Sequence, residues 1–151
     1  EKADVIVAIG DNKIRRILQE RVKNAGFVLV KLIHPSAVVS ASAQIGEGAV
    51  VMPNAVINAR AVIGEGAIIN TGAIIEHDCE VGDFAHISPN AALAGGVIVG
   101  ANTHVGIGSC AIQCVKIGAN CIIGAGSVVV RDIADGSVAY GNPAKARRNL
   151  S

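Results

Sequence analysis

Ile45-Gly46-Glu47-Gly48-Ala49-Val50-Val51 opens a stretch, ending at Val129, in which an aliphatic residue returns every sixth position without an insertion. Stepping by six gives Ile45, Val51, Ile57, Ile63, Ile69, Ile75, Val81, Ile87, Leu93, Val99, Val105, Ala111, Ile117, Ile123 and Val129, and only Ala111 lacks a branched side chain. Four places on, the residue is small at Ala49, Ala55, Ala61, Ala67, Ala73, Cys79, Ala85 and Ala91. Gly often follows the aliphatic position, as at Gly46, Gly64, Gly82, Gly100, Gly118 and Gly124. A period of six matches neither the 3.6 of a helix nor the 2 of a half-buried strand, so it is a repeat. The structure that satisfies it is a parallel β-helix with three flat sides. Each unit gives a short strand and a corner. The large aliphatic points inward, the small residue fits beside it, and Gly is expected to supply the tight or positive-φ backbone of the corner. Three units make one coil, and the run supplies about five coils stacked at about 4.8 Å.

Composition agrees with a narrow aliphatic prism: 51% of the 151 residues are hydrophobic, only 2% are aromatic, and there are 18 Gly. No apolar run approaches the roughly 18 residues of a membrane helix, and no signal peptide opens the chain. A formal net charge of +1 argues against general polyanion binding, hence against nucleic acid. The charges are uneven along the chain. Glu65, Glu76, Asp78, Glu80 and Asp83 fall in a middle stretch that has no Lys or Arg, whereas Lys116, Arg131, Lys145, Arg147 and Arg148 lie beyond it. Such a gradient suits either simple solubility or a ligand with phosphates at one end. Cys79, Cys110, Cys114 and Cys121 form no CxxC pair and share no column of the coil, so neither a disulfide framework nor a metal site is expected. Reduced thiols imply a cytoplasmic protein.

Before the repeat the pattern changes. Val5-Ile6-Val7-Ala8-Ile9 reads as a strand ended by Gly10. Asp11 or Asn12 can cap a helix to about Asn24 with Ile14, Ile17, Leu18 and Val22 on one face, and Phe27-Val28-Leu29-Val30 reads as a second strand. This β-α-β piece is too short to be a nucleotide-binding domain, and Gly10 is solitary, with no GxGxxG. His34-Pro35 makes a natural entry corner to the first coil, because the residue before Pro is held extended.

The residues able to do chemistry lie between Asn70 and Gly96. Eighteen residues separate His86 from His104, so the two stack in one column, with Ile68 below and Ile122 above. His77 and Gly95 are also one coil apart, which is expected to leave room and an accessible backbone N–H above His77. His77 and His86 are half a coil apart, so they converge only across a seam between two prisms; three such prisms would make three clefts. His77 between Glu76 and Asp78 is the best general base, since imidazole titrates near neutrality and a neighbouring anion can fix its tautomer. A surface histidine beside acids at a corner also fits no chemistry at all, and spacing identifies no substrate.

Asn70-Thr71-Gly72-Ala73-Ile74-Ile75-Glu76-His77-Asp78-Cys79, then Gly82-Asp83-Phe84-Ala85-His86-Ile87-Ser88-Pro89, resembles a known family. It is similar to the hexapeptide-repeat acyltransferases, and within them to bacterial nucleotide-sugar N-acetyltransferases of the PglD type and the related sialic acid O-acetyltransferases. The similarity extends to Ala94-Gly95-Gly96-Val97, to Gly141-Asn142-Pro143-Ala144-Lys145, and to Val7-Ala8-Ile9-Gly10-Asp11-Asn12. It implies a mainly β, left-handed parallel β-helix over residues 34–138, preceded at 1–33 by the C-terminal portion of a truncated Rossmann-like nucleotide-sugar domain and followed by a tail at 139–151. The Gly-rich first loop of such domains is not among these residues, which puts the nucleotide part of the site in question.

The resemblance also implies a homotrimer with acetyl-CoA between neighbouring prisms and a UDP-linked amino-deoxy sugar as acceptor, acetylated at its 4-amino group. Carried onto this chain, His77 would be the base, with Glu76 and Asp78 orienting it. His86, with His104 in its column, would contact the acetyl end of the cofactor, and Asn70 would place the sugar. Backbone near Gly95 would meet the thioester oxygen, and Ala125 and Lys145 would bind further along the cofactor. Direct transfer in a ternary complex is expected, since no Cys or Ser has a base at a matching spacing. O-acetylation of a sialic-acid-type hydroxyl and a non-catalytic assembly role are the alternatives.

Overall fold

The computed structural model describes residues 3–149. From Leu32 to Val129 the strands are two residues long, and they stack in parallel on three faces of a left-handed β-helix of about six turns. The first face runs through Leu32–Ile33, Val50–Val51, Ile68–Ile69, His86–Ile87, His104–Val105 and Ile122–Ile123. It ends in Ser137–Tyr140 and the antiparallel Lys145–Asn149. The second face runs from Val38–Val39 to Val128–Val129, and the third from Gln44–Ile45 to Lys116–Ile117. From Leu32 to Val129 partners on every face are eighteen residues apart, as in His86 with Ile68 and His104, and the spacing drops to sixteen at the last pairing, Ile122 with Val138.

Of the fifteen aliphatic repeat positions, all but Ile45 are buried, and the small residues from Ala49 to Ala91 are fully buried beside them. Each inward Ile or Val contributes about 1.5–3 kcal/mol by leaving water. Toward the C-terminal end the small column turns polar and stays satisfied. Thr103 donates to Gly118 O (2.6 Å) and Ser109 to Gly124 O (2.8 Å).

The corners differ from the expectation drawn from the glycines. Gly46, Gly64, Gly82, Gly100 and Gly118 do not take positive φ; a Cβ there would come within 2.4–2.7 Å of the peptide of the coil above. They are small because successive backbones approach closely. Left-handed backbone falls two residues later, at the second corner residue, and is taken by Gly at 48, 66, 72, 96, 108 and 126 but by other residues at Asn54, Arg60, Asp78, Phe84, Asn90, Asn102, Cys114 and Asn120. Asn and Asp tolerate this region best.

At the front, Asp4–Val5 and Val28–Leu29 form a two-stranded parallel sheet joined through helix α1, Asn12–Asn24. Asp11 caps α1 by accepting from the Ile14 N–H at 2.9 Å. The buried side of α1 is polar at its centre. Arg15 and Gln19 are fully buried with Leu18 and Val22 half-buried, whereas Ile14 and Ile17 are 51% and 49% exposed. The reason is the surface against which the helix lies. The corners between the third and first faces present a row of carbonyls, and these need donors. Gln19 donates to Gly48 O (3.0 Å), Arg15 to Gly66 O (2.7 Å) and Phe84 O (2.8 Å), and Asn12 to Asn102 O (3.1 Å).

Candidate active site

His77 and Asp78 are the two residues of the corner between the second and third faces. His77 Nδ1 lies 2.7 Å from Asp78 Oδ2. Arg60, one coil below, closes on the same carboxylate with Nε to Oδ1 at 2.7 Å and Nη2 to Oδ2 at 2.9 Å. The Arg60 guanidinium and then the His77 ring hold the Asp78 carboxyl down at about 2, so it is an anion at neutral pH. His77 Nε2 makes no hydrogen bond among the described residues, and its side chain is 60% exposed. Its ring is therefore oriented from one side and open on the other.

The space above His77 is not vacant. A Cβ on Gly95 would meet His77 Cε1 and Nε2 at 2.7 Å, so the imidazole itself occupies the gap left by the glycine. Gly96 N–H donates to His77 O at 2.9 Å. The Gly95 and Ala125 N–H groups have no hydrogen-bond partner among the described residues, and the same holds at most first corner positions, Ala59 and Ala101 among them. Among the described residues Glu76 is half-buried and makes no hydrogen bond or ion pair with His77, whereas Asp78 does.

On the first face, His86 and His104 pack edge to face with centroids 4.9 Å apart. Asn70 and His86 form a pair: Asn70 Oδ1 accepts from Thr71 N–H (2.8 Å), which leaves its amide nitrogen to donate to His86 Nε2 (2.9 Å). The His86 proton is thereby placed on Nδ1. One coil up the pattern repeats, with Ser88 Oγ 3.2 Å from His104 Nε2. Burial, then the neighbouring His104 and Arg15, push His86 down to about 4, and burial and Arg15 also lower His104. Both rings are therefore neutral at pH 7 and weaker proton acceptors than an ordinary imidazole.

Beside them is a cleft of about 910 Å³ between the start of α1 and the C-terminal coils, lined by Gly10, Asn12, Lys13, His104, Asn120 and Asp135 among others. Lys145 lies on the exposed strand Lys145–Asn149 with Arg147 and Arg148. Among the described residues, Cys79 and Cys121 are buried and Cys110 and Cys114 exposed, all as free thiols. His34 caps its corner, its Nδ1 2.8 Å from Ser36 Oγ. No group of His, Cys, Asp and Glu among the described residues could hold a metal ion. No described helix is long and apolar enough to cross a membrane. Arg60 was not among the residues expected at the site, although its eighteen-residue offset from Asp78 placed it there by the same arithmetic that paired His77 with Gly95.

Comparison with known proteins converges on one group. Residues 60–95 match the family Bacterial transferase hexapeptide (six repeats). PerB from Caulobacter crescentus, solved in complex with CoA and GDP-perosamine, is 51% identical with a TM-score of 0.96, over 97% of this chain and 70% of that one. The acetyltransferase domain of PglB from Neisseria gonorrhoeae, solved also with acetyl coenzyme A, is 46% identical with a TM-score of 0.94, over 95% and 70%. A UDP-N-acetylbacillosamine N-acetyltransferase of Bacillus subtilis is 49% identical over 47 residues, which are 31% of this chain and 22% of that protein.

Proposed function

Because this chain belongs to the bacterial hexapeptide-repeat sugar N-acetyltransferases, we propose that it transfers the acetyl group of acetyl-CoA to the amino group of a nucleotide-linked amino-deoxy sugar. The observation that carries the reading is His77, held at Nδ1 by Asp78 and open at Nε2. In this mechanism Nε2 takes a proton from the sugar amine as its nitrogen attacks the thioester carbonyl. The tetrahedral intermediate collapses, the C–S bond breaks, and the imidazolium returns the proton to the departing CoA thiolate. The gain from positioning both reactants against rigid walls adds to that of the base. The unpartnered Gly95 N–H is the donor available to the thioester oxygen as charge develops on it.

The neutral His86–Asn70 pair supplies a fixed polar contact to the acetyl end of the cofactor. The basic end of the chain, with Lys145, suits the cofactor phosphates, and Ala125 N–H is a further contact along its length. The cleft beside His104 and Asn120 is the natural place for part of the acceptor. The β-α-β segment ahead of Leu32 then belongs to the acceptor side, and the coils from Leu32 to Tyr140 form the catalytic β-helix. The working assembly is a homotrimer in the cytoplasm. Support comes from the outward column of the second face, Val38, Val56, Ile74, Ala92, Cys110 and Val128, which is apolar along its length and unburied in the single chain. Exposed apolar stripes of this kind mark interfaces, and a second copy there would lie beside the His77 corner.

A panel of UDP- and GDP-linked 4-amino sugars and sialic acid, each with acetyl-CoA, tests the reading. Transfer to an amino sugar, with a product stable to mild base, is expected. UDP-linked acceptors follow from the sequence resemblance, and GDP-linked ones are favoured by the complexes at 50% and 51% identity. An alkali-labile product would make the enzyme an O-acetyltransferase, and no acetyl-CoA-induced thermal shift would leave a non-catalytic β-helix.

A further inference from the structure

The dyad His77–Asp78 has a third member that supplies its rigidity. Arg60 and Asp78 occupy the same corner column on adjacent coils, both with left-handed backbone, φ 59° and 61°. Asp78 Oδ2 is shared: it accepts from Arg60 Nη2 at 2.9 Å and lies 2.7 Å from His77 Nδ1. Oδ1 is held by Arg60 Nε at 2.7 Å. The carboxylate cannot rotate without breaking one of the two parallel bonds, so the oxygen presented to the imidazole is chosen by the arginine fork. From above, the Gly95 backbone confines the same ring.

We propose that Arg60 is a positioning residue for acetyl transfer, fixing Asp78 in the one orientation that keeps the His77 proton on Nδ1 and turns the Nε2 lone pair outward; this rests on His77 being the base. Besides Asp78, the titratable groups around the ring are few. Glu76 and the buried Cys79 flank it on its own coil, and Arg60 lies below. Gly95 and Gly96 carry none, and Cys114 sits one coil beyond them. Among the described residues Arg60 is thus the one nearby cation, and it acts through Asp78 in two opposed ways. It orders the carboxylate, and it draws negative charge away from the imidazole. Removing it should loosen the dyad while leaving Asp78 freer to stabilise the imidazolium.

The competing account is a surface ion pair that staples two corners. The side chains are 66% and 43% exposed, and such pairs contribute little to stability. The two accounts separate in the state of the ring. Nitrogen-15 NMR of the imidazoles in the free protein reads the His77 tautomer, and steady-state kinetics with acetyl-CoA and an accepted sugar reads turnover. Wild type should show a single Nδ1–H tautomer. Arg60→Gln should give a tautomer mixture and a kcat lower by roughly three- to tenfold, short of the 10²–10⁴-fold for losing a base. Acetyl-CoA KM should not change. Arg60→Lys should restore the single tautomer only in part and not the full kcat, since an ammonium lacks the planar fork. In an Asp78→Asn background, Arg60→Gln should add nothing, because the two act as a unit.

An unchanged His77 tautomer in Arg60→Gln would overturn the proposal. So would an equal kcat loss with and without Asp78, or a raised acetyl-CoA KM, which would make Arg60 a cofactor contact. The NMR measurement needs no substrate, so a wild type that transfers no acetyl group defeats the functional reading while the tautomer result still decides the role of Arg60.

Discussion

At His77 two requirements meet: the ring must be held, and one nitrogen must stay free. Asp78 and Arg60 meet the first from the side, and Gly95 meets it from above by having no side chain. His77→Ala should lower kcat by about 10²–10⁴-fold, the usual range for a lost general base, with acetyl-CoA KM unchanged; near wild-type turnover would remove His77 from the mechanism. Gly95→Ala is the sharper test of geometry. Its Cβ would lie 2.7 Å from Nε2, so the ring must swing away, and kcat should fall on the order of ten- to a hundredfold. The φ at Gly95 is ordinary, so circular dichroism and melting should change little; a collapse of the fold would mean that the glycine serves packing alone. The pairing of His77 with Gly95 could be read from their spacing, but which of the two filled the gap could not. A flexible side chain takes whichever rotamer its neighbours leave open.

Helix α1 shows the limit of pattern reading at the level of the element. Its span and cap follow from Asp11 and from the periodic run to Asn24, and both are found. Its most buried positions depart from the apolar rule, because Arg15 and Gln19 dock on a row of corner carbonyls while Leu18 and Val22 are only half-buried. Arg15 makes bonds to carbonyls of both units, at Ile9 and Gly10 as well as Gly66 and Phe84. Burial brings it down to about 10 against the pull of Asp11, so it stays a cation at neutral pH. Arg15→Met should strip the donors from buried carbonyls and cost about 2–4 kcal/mol of docking. Faster amide exchange and proteolysis confined to residues 3–30, with the solenoid intact, is the expected result, read by mass spectrometry. No loss of protection there would show that the helix is held by other contacts. The corner glycines carry the same lesson. Their column is visible in the repeat, but only stacked coils reveal that a Cβ would strike the next peptide.

For the whole molecule, the neutral His86 ties stability to pH. Its folded value of about 4 lies below the ordinary value near 6.5, so between these two the unfolded chain binds a proton that the folded one refuses. Stability should therefore rise from pH 4 to pH 6.5 and level off above it. His86→Gln should flatten that rise in a melting series, and an unaltered slope would assign it to other groups. The same scale decides assembly. The proposed homotrimer predicts a solution mass of three chains by light scattering, and an isolated chain at micromolar concentration would dissolve the two-walled cleft on which the proposed mechanism stands.

The six-residue period alone determined the solenoid, its inward column and which residues share a corner, because a repeating coil turns sequence distance directly into spatial distance. Tertiary structure alone decided what the period cannot carry: the polar docking of α1, the Asn70–His86 pair, and the Arg60 fork on Asp78. Those depend on side-chain reach and on which backbone groups lack partners, and both exist only once the coils are stacked.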